Sequence, residues 1–96
     1  MTVDEVIEKI NSNDTRNIET FYCSVGDLWA DVDLTRAFPA YVFAIRQKQN
    51  PIFCVRVRKI EALKWLMLGF SNQHENSKWD YTTDPSDGDG DPQHIF

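Results

Sequence analysis

Apolar residues at the start of the chain recur with helical spacing. They fall at positions i, i+3, i+4 and i+7, on one helix face, as Val3, Val6, Ile7 and Ile10. Thr2 and Glu5 stand three residues apart at the start of this pattern, which is the spacing of a capping box. The polar run at 11–14 ends the pattern. We therefore predict a first helix over about residues 3–11.

The next stretch changes to a period of two, which is typical of β-strands. If Gly26-Asp27 forms a two-residue turn, residues whose numbers sum to 53 face each other. One side of this hairpin is then largely apolar, with Phe21, Cys23, Val25, Leu28, Ala30, Val32 and Leu34. The other side carries two aromatic residues, Tyr22 and Trp29, beside Asp31 and Asp33. A register shifted by one residue would lose this separation.

A second hairpin is predicted around the loop Lys48-Gln49-Asn50, with Pro51 after it and facing residues that sum to 98. Its apolar side holds Tyr41, Phe43, Ile45, Phe53, Val55 and Val57. The opposite side carries Arg46, Arg56 and Arg58 among small apolar residues. Pro39 cannot donate to a strand ladder, so it separates the two hairpins.

Helical spacing returns after Lys59. A stripe of about 120° contains Ile60, Leu63, Leu66, Met67 and Phe70, and Ser71-Asn72 indicates the end of the helix. Trp65 and Leu68 lie outside this stripe. They either pack on the first helix or stay partly exposed at an interface, where they could form a homodimer contact.

These patterns predict an α+β fold with a four-stranded antiparallel sheet, made of two consecutive hairpins. An N-terminal and a C-terminal helix cover one face of the sheet. Residues 1–81 form the single domain, and the segment 78–81 either adds an edge strand or packs back on the domain. Residues 82–96 are rich in Asp, Gly and Pro, so we expect a flexible acidic tail.

Composition narrows the class of protein. The chain has 96 residues and no apolar run near the length of about 20 residues that a membrane span needs. The acidic, amphipathic N-terminus differs from a signal peptide, so we expect a cytoplasmic protein that does not contact membranes. Two cysteines without an export signal predict free thiols rather than a disulfide.

The charges are sorted along the chain. Residues 1–34 carry two basic and eight acidic side chains, and residues 75–96 carry one basic and six acidic ones. Residues 35–74 reverse the balance, with seven basic side chains and one acidic one. The net charge of −5 therefore does not exclude binding to nucleic acid.

No constellation of residues suggests catalysis. His74 and His94 are the only histidines and lie away from the predicted core, while Cys23 and Cys54 point to opposite sides of the sheet. No phosphate-binding glycine loop is present. The Asp-Gly repeat at 87–91 lacks both the glycine and the glutamate of a calcium-binding loop. We expect neither an enzyme, nor a cofactor, nor a specific metal site.

The basic hairpin offers a candidate binding surface for single-stranded nucleic acid. Its cations would contact phosphates, and aromatic residues of the same sheet side would stack on bases. The predicted residues are Arg46, Lys48, Arg56 and Arg58, with Tyr22 and Trp29. An ordinary alternative is that these arginines only neutralise Asp31 and Asp33 on a neighbouring strand.

The last ten residues, DGDGDPQHIF, are acidic and then end on Ile95 and Phe96. This segment resembles the C-terminal tip of bacterial and phage single-stranded DNA-binding proteins. The resemblance implies a tail that docks its terminal Phe on partner proteins and competes with DNA for the basic face of its own domain. Glycines interrupt the aspartates and Gln93-His94 replace a shorter apolar link, so the match departs from that family.

A second function class fits the acidity of the chain. Small acidic proteins, some of them from phages, can imitate the phosphates of DNA and inhibit a partner by occupying its basic site. Here the phosphates would be imitated by Asp31 and Asp33, the acidic face of the first helix and the tail, and Trp29 or Trp65 would be the anchor. In a third account the protein is an adaptor that forms a homodimer through Trp65 and Leu68. All three accounts describe a small binding protein.

Overall fold

The computed structural model of the chain describes residues 1–15, 17–35 and 40–83. Two helices and five strands follow one another in an α-β-β-β-β-α-β order. Their bounds are α1 (Val3–Asn11), β1 (Ile18–Val25), β2 (Leu28–Thr35), β3 (Ala40–Gln47), β4 (Asn50–Val57), α2 (Ile60–Asn72) and β5 (Asp80–Thr83). The strands form one antiparallel sheet in the order β4-β3-β2-β1-β5. The predicted α+β class is confirmed.

The first helix has the predicted bounds and the predicted cap. The Glu5 amide donates to Thr2 Oγ1 at 3.2 Å, and the Thr2 amide donates to Glu5 Oε1 at 2.7 Å. These two bonds satisfy backbone N–H groups that have no partner within the helix. Val3 and Val6 are buried, so the apolar face of α1 lies against the core.

The first hairpin has the register that the sequence predicts. Phe21 faces Val32 and Val25 faces Leu28 across the turn at Gly26-Asp27. Gly26 has a φ of +59°, a value that a residue without a Cβ adopts at little cost. A positive φ at the first turn residue matches the twist of the flanking strands.

The second hairpin differs from its prediction near the turn. Its turn has two residues, Lys48 and Gln49, with φ values of 50° and 73°, instead of the predicted three-residue loop. The pairing shifts between Ile45 and Arg46, so Arg46 faces Pro51. Beyond the shift the predicted pairs remain, including Phe43 with Val55. The shift absorbs the extra residue that a two-residue turn leaves in β4.

The sheet has five strands, so the prediction of four was wrong. Strand β5 pairs with β1, with Tyr81 opposite Phe21, and it runs to Thr83. Trp79, just before β5, is 2% exposed, and its indole N–H donates to Ser71 Oγ at 2.9 Å. Burial of this large ring brings the segment after α2 back to the domain, where it extends the sheet.

Both helices pack on the same face of the sheet. The buried core combines Val3 and Val6 of α1, Leu63, Met67 and Phe70 of α2, and Phe21, Cys23, Ala30, Val32 and Phe43 of the strands. Ile60 and Leu66, the other residues of the predicted stripe, are half-buried beside this core. The opposite sheet face carries no helix among the described residues and is the surface on which the predicted cations lie.

Candidate functional site

The face of the sheet opposite the helices, called the outer face here, is ordered in rows by the strand register. One row crosses the sheet through Thr20, Asp33, Val42 and Arg56, and the next through Tyr22, Asp31, Ala44 and Cys54. A third row contains Ser24, Trp29 and Arg46. The register therefore places six of the predicted binding residues on one surface or at its edge: Tyr22, Trp29, Asp31, Asp33, Arg46 and Arg56.

The two aromatic residues of the outer face stack on each other. The ring centroids of Tyr22 and Trp29 lie 4.4 Å apart, with an angle of 2° between the ring planes. Trp29 remains 38% exposed. Each ring therefore has one face covered by the other ring, and a base could stack only on a face that the pair leaves open.

Asp31 is buried at the centre of the outer face. It is 4% exposed, and its Oδ2 accepts hydrogen bonds from the Trp29 indole N–H at 3.0 Å and from the Arg46 guanidinium. Its Oδ1 is buried and has no hydrogen-bond partner in the described part of the chain. Burial raises the pKa of Asp31, although the nearby Arg46 opposes this effect.

The pairing of Asp31 with Arg46 limits one predicted contact. The Arg46 side chain is 40% exposed but its guanidinium is already bonded to a carboxylate. A phosphate would have to compete with Asp31 for this cation. Asp33 is exposed and accepts a hydrogen bond from Thr20 Oγ1 at 2.8 Å. The predicted neutralisation of one hairpin by the other is therefore present for Asp31, which pairs with Arg46.

The cations of β4 and the following bend differ from Arg46. Arg56 and Arg58 are exposed, and no ion pair joins either of them to another residue within 1–15, 17–35 or 40–83. Lys48, in the turn before β4, lies 3.9 Å from the carboxylate of Asp27, and both side chains are largely exposed. These cations need not break a buried pair to meet an anion.

A cleft of about 560 Å³ opens at the end of the sheet where both hairpin turns meet. Its lining includes the two turns and the third row of the outer face: Ser24, Gly26, Asp27, Leu28, Trp29, Arg46, Lys48 and Gln49. The cleft is open to solvent beside one aromatic ring and two cations. The Asp27 carboxylate also lines the cleft and lies near Lys48.

The residues predicted to bind protein partners are dispersed. Trp65 is 70% exposed on α2, while Leu68 is half-buried against the core. Asp31, as described above, offers no exposed charge. Ile95 and Phe96 lie outside the described residues, as does most of the predicted acidic tail.

Other chemistry has little support on the described surface. No group of three His, Cys, Asp or Glu side chains in the described part of the chain could hold a metal ion. Both cysteines are free; Cys23 is buried, which raises its pKa, and Cys54 is exposed on β4. The longer described helix, α2, has 13 residues, and neither described helix meets the length and hydropathy of a membrane span.

Two features of the sheet were not predicted from the sequence. The alternating pattern placed Asp31 on the solvent side and did not predict that this residue is buried. The pattern also predicted Phe53 as a core residue, yet it is 44% exposed because β4 is an edge strand that the helices cover only in part. Pro51 was the available signal for an edge strand, because a proline cannot donate to a strand ladder on both sides.

Comparisons with known proteins assign no family. The chain matches no protein-family model, and searches of curated proteins and of solved structures found no significant similarity.

Proposed function

We propose that this protein is a non-enzymatic binder of single-stranded nucleic acid that uses the basic end of its outer face. The observation that carries the proposal is the pair of exposed arginines, Arg56 and Arg58, which have no ion-pair partner among the described residues. Guanidinium groups are well suited to phosphates because they donate two parallel hydrogen bonds.

The neighbouring surface adds contacts of the kind that single-strand binders use. Arg46, which is paired with Asp31, and Lys48, which lies near Asp27, line the adjacent cleft, and Trp29 at its wall is partly exposed. Binding without base recognition needs cations along the backbone and an aromatic surface for stacking. The acidic residues at 84–91 would compete with nucleic acid for the same cations, in agreement with the resemblance of the tail.

The proposal is tested by anisotropy of a fluorescent single-stranded oligonucleotide at low and high salt. Arg56→Ala/Arg58→Ala should weaken binding and reduce the salt slope by about 1.4, because each lost phosphate contact removes about 0.7. A matched control is Lys9→Ala/Lys64→Ala, which removes two cations that pair with Asp14 and Asp4 away from the outer face. This control should leave the slope unchanged.

A chain truncated after Thr83 tests the role of the tail. It keeps all seven helices and strands that the structure describes, and it should bind the oligonucleotide more tightly than the full chain. If neither chain binds at low salt, the nucleic-acid proposal is wrong. Equal weakening by both double variants would show only general electrostatic attraction.

An acidic protein-interaction module is the second candidate. It is favoured by the exposure of Trp65, which is 70% exposed on the helical side of the molecule, and by the exposed acidic side chains of α1. This function would use the surface opposite the outer face. Binding to an immobilised lysine-rich peptide that is lost on Asp4→Lys/Glu8→Lys, together with no binding to oligonucleotides, would favour it.

A further inference from the structure

The strand β4 presents an unusually open sheet edge. It lies at the end of the strand order, and its residues from Asn50 to Cys54 are all exposed. Ile52 is 56% exposed and Phe53 is 44% exposed. The other edge, β5, has only four residues and is mostly polar. Soluble proteins usually protect a long edge, because its free N–H and C=O groups pair readily with another strand.

We propose that β4 pairs with β4 of a second copy of this chain. The two strands run antiparallel around a twofold axis at Cys54, and they join two five-stranded sheets into one sheet of ten strands. Facing residues then have numbers that sum to 108. Phe53 lies opposite the partner's Val55, which is a favourable aromatic and β-branched pair.

The position of Pro51 selects this register. Because side chains alternate between faces, only an even sum keeps like faces together. Regular alternation in β4 begins after the pairing shift, at Ile52. A sum of 108 pairs the segment from Ile52 to Arg56 with its copy and leaves Pro51 just outside the ladder, whereas a sum of 106 brings Pro51 inside it. A proline has no N–H to donate, so it is tolerated best at the end of a paired segment.

The register also keeps the arginines apart. Arg56 faces the partner's Ile52, so the two Arg56 residues are offset by four positions along the paired strands. At about 3.4 Å per residue along a strand and about 5 Å between strands, their Cα atoms are about 14 Å apart. This distance exceeds the Debye length of about 10 Å at 0.1 M salt, so their repulsion is largely screened.

Dimerisation would complete the candidate binding surface. The basic end of each outer face meets its counterpart at the seam, so Arg46, Arg56 and Arg58 of both copies form one central band. The acidic strands β1, β2 and β5 move to the two distant ends of the sheet. This role of the dimer rests on the proposed nucleic-acid function, whereas the pairing of the strands does not.

Light scattering after size exclusion tests the pairing with the full chain under reducing conditions. We expect a mass twice that of the 11.2 kDa chain at high micromolar concentration. Ile52→Lys places a cation opposite the partner's Arg56 at two equivalent positions, so it should raise the dimer Kd about tenfold. Ile52→Glu forms opposite-charge pairs at the same positions, so its dimer Kd should be at least about tenfold lower than that of Ile52→Lys.

Trp65→Lys is the matched control, because it replaces another exposed apolar residue by lysine away from β4. The measured mass should remain that of the dimer in Trp65→Lys. If only Trp65→Lys dissociates the dimer, the contact lies on α2 and the β4 proposal is wrong. Circular dichroism and thermal unfolding show whether each variant is folded.

Cys54 provides a test of the register. At the twofold axis its Cα lies about 4.5–5.5 Å from the partner's Cys54, within the range that a disulfide bridges. A mild oxidant should therefore give a covalent dimer that is absent in Cys54→Ser, since Cys23 is buried. A monomeric mass at all concentrations, or a dimer that responds equally to Ile52→Lys and Ile52→Glu, overturns the pairing.

Failure of the pairing and failure of the proposed function can be told apart. Masses and cross-links are measured without nucleic acid, so they report on strand pairing alone. A monomer that still binds the oligonucleotide through Arg56 refutes only the dimer. A dimer that binds no oligonucleotide keeps the pairing and refutes the function.

Discussion

Replacing Asp31 by Asn tests whether Arg46 is withheld from an anionic ligand. In the native protein the Arg46 guanidinium is bonded to Asp31 Oδ2, although the arginine side chain is 40% exposed. Asp31→Asn keeps the shape of the side chain but removes its charge. Arg46 can then turn toward a phosphate, so we expect tighter binding of single-stranded oligonucleotides.

The size of this effect follows from counterion release. For single strands each neutralised phosphate changes log K by about 0.7 per decade of salt. One additional contact by Arg46 therefore raises affinity by up to about eightfold at about 50 mM salt and about threefold at about 200 mM salt.

Anisotropy titrations across this salt range measure both the affinity and its slope. Asp33→Asn is the control, because it removes the same charge from the outer face but Asp33 is hydrogen-bonded to Thr20, not to Arg46. It should raise affinity slightly and leave the slope unchanged. If Asp31→Asn and Asp33→Asn behave alike, Arg46 does not act as a released phosphate contact and the reasoning is refuted.

Three further results are expected. In the native protein a thiol reagent should modify Cys54 at once and Cys23 only on unfolding, because Cys23 is buried and its pKa is raised; rapid reaction of two thiols would contradict this. Burial raises the pKa of Asp31 above its ordinary value of 3.8, so its protonation favours the folded state. As the pH falls through this raised pKa toward 3.8, the free energy of unfolding of the native chain, measured in urea, should therefore rise relative to that of Asp31→Asn. A relative decrease would show that the ion pair with Arg46 outweighs the effect of burial. Gly26→Ala should lower the free energy of unfolding by about 1 kcal/mol, because Gly26 has a φ of +59°. Gly69→Ala within α2 should raise it by up to about 1 kcal/mol, because a Cβ there meets no other atom. Equal effects of the two substitutions in thermal unfolding would show that the turn conformation is unimportant.

The sequence was most informative where one local rule acted alone. The capping box at Thr2 and the turn at Gly26 specify backbone conformations directly, so α1 and the first hairpin register were predicted correctly. The second turn lacks glycine, although both of its residues adopt positive φ. Because Lys48 and Gln49 seldom do so, residue types favoured a longer loop there.

The fifth strand and the buried carboxylate depend on contacts between distant parts of the chain. Trp79 is held by Phe70 and Ser71, and no local pattern specifies that packing. Asp31 is buried by partners from its own and neighbouring strands, of which the register predicts the proximity but not the side-chain conformations. The position of a residue on a sheet face is therefore easier to predict than its exposure.

The sorting of charge along the chain acquires a physical meaning in the sheet order. The basic segment contributes β3 and β4 at one end of the sheet, and the acidic segments contribute β1, β2 and β5 at the other. Within the described residues, Arg46 and Asp31 join across the boundary as a buried contact, so neutralisation accounts for one of the three predicted binding arginines. Arg56 and Arg58 remain exposed at the open edge and are free to meet an anion. Binding of an anion and pairing of β4 would both use this surface. Ile52→Glu distinguishes the two processes, because its dimer should be tighter than that of Ile52→Lys, while its carboxylate should weaken the binding of phosphate.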